Sequence, residues 1–145
     1  MHTQTSQESL AVLPRGNLGE TSFQDRVEPW LLECFGAKVA GNTLERSHRM
    51  LEEALELGQA VGCTREEAHQ LVDYVFGRPV GEAAQEAGGV MLTLAALCRA
   101  HGIDMHEAGD RELARVWAKL EAIRAKQATK PQNSPLPGAT PGEFL

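Results

Sequence analysis

Two groups of glutamates have the residue type and spacing for metal-assisted chemistry. Glu52, Glu53 and Glu56 lie within MLEEALEL, and Glu82 and Glu86 within VGEAAQEAGG. Carboxylate-only donors select Mg²⁺, or Mn²⁺ in its place, over zinc. Mg²⁺ keeps several waters and binds through a few carboxylates together with substrate phosphates. Ions held this way polarise phosphoryl oxygens and activate water. The residues alone therefore point to phosphate-ester or phosphoanhydride chemistry.

Helices must position these groups. Ala, Leu and Glu are abundant and β-branched runs are missing, which favours helix. Five helical segments are expected. The first runs from about Ser22 to Phe35, with Pro29 making it irregular or two-part and Gly36 as its stop. The second starts at Asn42 or Thr43 and stops at Gly62. The third begins at Thr64, with Glu67 completing a capping box, and ends before Gly77 and Pro79. The fourth spans about Val80 to His101, and Gly102 ends it. The fifth covers about Asp104 to Lys126, broken at Gly109 with Asp110 as a second N-cap. Short connections favour antiparallel neighbours, so the fold class is all-α, an antiparallel bundle of four to five helices over residues 21–127. Residues 1–20 read as a flexible arm. Residues 128–145, rich in Pro and Gly, read as a disordered tail.

On a helical wheel, Leu44, Met50, Leu51, Leu55 and Val61 share one face of the second helix, and Glu53 borders it. That helix on its own is amphipathic with a solvated acidic side. The fourth is apolar nearly all round, which predicts a buried helix. Yet Glu82, Glu86, Gly89 and Thr93 form one stripe on it. Buried carboxylates are paired or bound to metal. The alternative is a salt bridge to Arg46, Arg49, Arg78 or Lys119. Gly88 and Gly89 serve either close helix packing or space for a ligand.

Composition limits the partners. The formal charge is −6, from 14 basic and 20 acidic residues, which argues against binding nucleic acid through its phosphates. Cys34, Cys63 and Cys98 have neither zinc-ligand nor disulfide-framework spacing, which suits a reducing cytoplasm. The N-terminus lacks the pattern of a signal peptide, and no run approaches the roughly 20 apolar residues of a membrane span.

MLEEALEL, followed some thirty residues on by QEAGGVMLTLAAL, resembles the MazG-like all-α nucleoside triphosphate pyrophosphohydrolases. Their signature is E-E-x-x-E, then E-x-x-D on a later helix. Glu52, Glu53 and Glu56 match the first part, and Glu86 the Glu of the second. The family's Asp falls on Gly89. The resemblance covers about Phe23 to Lys126. It implies hydrolysis between the α and β phosphates of a nucleoside triphosphate, giving the monophosphate and pyrophosphate. It also implies Mg²⁺ as cofactor and a homodimer or tetramer.

By this resemblance Glu53, Glu56 and Glu86 are Mg²⁺ ligands, and Glu82, one turn before Glu86, replaces the missing carboxylate. Asp73 is the weaker candidate for that role. Glu52 is either an outer ligand or the base that orients the attacking water. Arg115, Lys119 and Arg124 on the last helix are candidate phosphate ligands, against a plain solvated basic face. His48, one turn before Glu52, is a candidate pocket residue. Trp30 and Phe35 are candidates for base stacking, and Trp117 is expected in the core. The rival reading is a non-catalytic helical module that binds nucleotide or metal and acts through a partner, which the glycine at 89 favours. A purely structural helical dimer with paired glutamates is the third.

Overall fold

The computed structural model describes residues 21–136, which are all helical apart from turns. The elements are α1 (Phe23–Ala40), α2 (Thr43–Ala60), α3 (Arg65–Phe76), α4 (Ala83–Ala100), α5 (Met105–Ala118) and α6 (Leu120–Ala128). Local chemistry sets most of the boundaries. Ser22, Asn42, Thr64 and Asp104 each accept a backbone N–H of the helix they precede, and Thr64 and Glu67 complete the capping box. Gly62 and Gly102 adopt positive φ just beyond helix ends, where L side chains are strained.

Some boundaries differ from expectation. The first helical stretch stops at Gly36 as expected, where φ 72° and ψ 164° are non-helical, but a further helical stretch runs on from it to Ala40 within α1. The kink therefore falls at Gly36 and not at Pro29. Gly109 does not break α5, because the Phe23 ring packs against it; a Cβ there would lie 3.2 Å from the ring. Asp110 does not cap a helix but pairs with Arg26 at 2.5 Å, tying α5 to α1. The break falls instead at Lys119, between α5 and α6.

The first and last helices hold the chain together. α1, α5 and α6 pack on one another. Arg124 of α6 donates to the Glu33 carbonyl and pairs with its carboxylate at 2.9 Å. Trp30 and Phe35 meet edge to face at 5.4 Å, and the Arg46 guanidinium stacks over Phe35 at 5.0 Å.

Burial is sparse. Among the described residues only Cys34, Cys98 and Leu113 are buried apolar side chains. Trp117, expected in the core, is 40% exposed, since the described helices leave few side chains fully covered. The larger difference is α4. Its apolar circumference predicts burial, yet only Cys98 is buried, and Met91 and Leu92 are 68% and 72% exposed. No other part of the described chain covers that surface.

The tail also departs from expectation over its described part. Lys130 reaches Glu45 of α2, and the Pro135 carbonyl accepts from Arg49. Residues 129–136 thus return to α2, anchored by a buried charge pair and a charge-assisted hydrogen bond. The expected arm at 1–20 and the end of the tail at 137–145 lie outside the described residues.

Candidate functional site

α2 begins with a charge cluster that sequence reasoning missed. Glu45 is buried and gathers three cations: Lys130 in contact, Arg49 at 3.3 Å and Arg46 at 3.7 Å. Burial lowers the Arg46 pKa, and Glu45 partly offsets this. Arg49 also pairs with Glu52, one turn on. Arg49, one of the cations considered as a partner for Glu82 and Glu86, is thus engaged by Glu45 and Glu52 instead. Neighbouring His48 has its Nδ1 buried without a hydrogen-bond partner, so it faces protein interior at this end of the helix.

The next turn is where acidic groups meet. The Glu53 carboxyl is pushed above the usual carboxylate range, first by burial, then by the charges of Glu56, Glu112 and Glu52. Arg115 opposes that rise. Glu112 belongs to α5, where it binds Arg115 through two hydrogen bonds that hold its own carboxyl below the usual range. Glu53 of α2 thus lies within electrostatic reach of Glu52 and Glu56 on its own helix and of Glu112 and Arg115 on α5. Lys119, one turn beyond Arg115, is near enough for its charge to act on Glu112. The Glu112–Arg115 spacing of three was legible as a helical ion pair; its orientation toward Glu53 was not.

Glu56 marks the edge of a cleft of about 700 Å³ between α2 and α3. Its walls are apolar: Leu51, Leu55, Leu71, Val72, Val75 and Phe76.

The carboxylates of the second motif lie elsewhere. Glu82 precedes α4 instead of sharing a helical stripe with Glu86. Its two carboxylate oxygens accept the Ala84 and Gln85 N–H groups at 3.1 and 2.8 Å, which lowers its pKa. This is an N-cap, and the cause is local: Pro79 and Gly81 delay the helix start to Ala83. The Glu86 side chain folds back over Gly81, where a Cβ would collide with its carboxylate. Gly89 has open space in the direction of a Cβ, and its carbonyl accepts the Thr93 hydroxyl at 2.9 Å. Asp73 accepts the Gly77 N–H through its backbone carbonyl, closing α3. Arg124 is engaged with Glu33 and Glu121.

Among the described residues, no three His, Cys, Asp or Glu side chains converge closely enough to hold a metal ion. The α2 carboxylates have the donor chemistry of a hard-cation site, but Glu86 does not join them within one chain. No helix of the described chain is long and apolar enough to cross a membrane. No protein-family model matches the chain, and no curated protein or solved structure matches it either.

Proposed function

We propose that the protein is a Mg²⁺-dependent nucleoside triphosphate pyrophosphohydrolase of the MazG-like kind, working as a homodimer or tetramer. The observation that supports this most is the crowding of Glu56, Glu112 and Glu52 around Glu53, which a divalent cation would relieve. Glu53 and Glu56 are the proposed Mg²⁺ ligands on α2, with Glu86 as the ligand from α4. When bound, the ion supplies positive charge to the phosphoanhydride oxygens. Glu52, steadied by Arg49, orients the water that attacks the α-phosphorus and accepts its proton. The new P–O bond forms as the bond to the bridging oxygen breaks, and pyrophosphate leaves. Arg115 and Lys119 are the proposed phosphate ligands, placed on the α5 side of the acidic cluster. Arg124 is left out because it ties α6 to α1.

The test is pyrophosphate release from a panel of nucleoside triphosphates with Mg²⁺ or Mn²⁺. Turnover with loss of activity in Glu53→Gln is expected. Absence of turnover on every nucleotide sinks the enzymatic reading.

A second reading is a non-catalytic nucleotide- or metal-binding module acting through a partner. Gly89 favours it, since the resemblance places an aspartate there. It predicts nucleotide or metal binding without pyrophosphate release.

A further inference from the structure

The segment that follows α6 is shaped by its own sequence. Pro131 cannot donate to a continuing helix. The Ser134 N–H donates to the Pro131 carbonyl at 3.3 Å, and Asn133 between them sits at φ 62°. Asn enters that left-handed region far more readily than branched residues do. The turn returns the chain to α2 at two points. Lys130 meets Glu45, and the Pro135 carbonyl meets Arg49.

Both contacts bear on one guanidinium. Arg49 donates from Nη1 to Glu52 and from Nη2 to the Pro135 carbonyl. Its Nε lies 3.3 Å from Glu45 Oε1, yet is buried without a hydrogen bond. Lys130 already holds that same oxygen of Glu45. Glu45 and Glu52 therefore compete for Arg49. Glu45 is 8% exposed and Glu52 32%, so Glu45 is the less screened anion and would attract more strongly if it were free. An ammonium in contact with Glu45 offsets that advantage.

Resting on the function proposed above, in which Glu52 orients the attacking water, we propose that Lys130 and the Pro135 carbonyl are positioning elements of the site. Lys130 occupies Glu45, Pro135 holds the far nitrogen of the guanidinium, and Arg49 is thereby directed to Glu52. Without Lys130, Glu45 takes Arg49 and Glu52 loses its partner. The segment after α6 thus acts on the acidic turn of α2 through Arg49 alone.

Carbodiimide labelling of the full chain, read by mass spectrometry at each glutamate, tests the hold on Glu52 without reference to activity. Arg49→Gln gives the level of an unheld Glu52. Lys130→Met is expected to raise Glu52 labelling severalfold toward that level and to leave Glu112, paired with Arg115 within α5, at the parent level. Adding Glu45→Gln removes the competing anion and is expected to reverse the rise. Asn133→Val, at an exposed position where positive φ strains a branched residue, disturbs the turn without touching a buried charge. It is expected to raise Glu52 labelling in the same way, and it decides the matter if Lys130→Met does not fold. The proposal is overturned if Glu52 stays at the parent level in the folded variants, if Glu112 rises as much as Glu52, or if Glu45→Gln fails to reverse the effect. Pyrophosphate release supplies a second arm. Lys130→Met is expected to lower kcat by roughly tenfold to a hundredfold at unchanged KM, and to cause no further loss in a Glu52→Gln background. Losses that multiply overturn the proposal. A parent that turns over no nucleotide removes the proposed function and leaves the labelling to decide how Arg49 is held.

Discussion

Lys130 and Glu45 form an ion pair in which both side chains are almost wholly buried, at 6% and 8% exposure. They are far apart in sequence, one in the first turn of α2 and the other just past α6. Removing one member of a buried pair strands the other in a poorly solvated place. The two members are not equivalent, because Glu45 also meets Arg46 and Arg49. Glu45→Gln leaves three cations facing one another and is expected to cost about 3–5 kcal/mol. Lys130→Met leaves the carboxylate with two arginines and is expected to cost about 1.5–3 kcal/mol. Denaturant unfolding of both variants checks the order, and the reverse order refutes the account of Glu45 as the hub.

Glu53 sets a pH dependence. Its folded-state pKa is raised, so the folded chain holds this proton more tightly than the unfolded chain does. Stability from this group is therefore present at acid pH and is lost as pH rises from the ordinary carboxylate range through the raised value. Glu53→Gln is expected to raise the thermal midpoint at pH 7 and leave it unchanged near pH 4. A midpoint that falls at pH 7 would show that Glu53 is stabilised as the anion by a partner.

Glu82 is expected to behave as a cap and not as a metal ligand. Glu82→Ala removes both carboxylate bonds to the start of α4 and should lower helicity and the thermal midpoint. Glu82→Asp should restore them, with Mn²⁺ affinity equal in all three proteins. A drop in affinity in Glu82→Asp with the helix intact would return Glu82 to the ligand set.

A Cβ at Gly89 meets no neighbouring atom within 4 Å among the described residues, and Gly89→Asp replaces a poor helix former with a better one. It is expected to tighten Mn²⁺ binding or raise pyrophosphate release on the order of tenfold, as an added carboxylate at a metal centre does. A fall in both would show that the position needs the glycine's small volume against whatever covers α4.

Much of the fold was legible because helix ends are written in local chemistry. Ser22, Asn42, Thr64 and Asp104 cap, and Gly62 and Gly102 stop, for reasons contained within a few residues. What failed was decided at a distance. Gly109 would end a helix in isolation but is filled by Phe23, and Asp110 would cap one but meets Arg26. The acidic turn of α2 could be read from spacing, whereas Glu112 came from another helix and Lys130 from a segment whose composition reads as unstructured. α4 misled for a different reason. An all-round apolar helix states that it will be covered without stating by what, and none of the described residues covers it.

The position of Lys130 also bears on how the molecule is made. During synthesis α2 emerges long before its cation, and so does α1 before the Arg124 that fastens α6 to it. Until the ribosome has delivered both basic residues, Glu45 has no lysine and the first helix no clasp. The nascent chain can form individual helices as they appear, but its tertiary closure waits for the last of them. A release defect or a proteolytic cut upstream of Lys130 would therefore leave a chain with helices and no fastening, with the apolar faces of α3 and α4 bare.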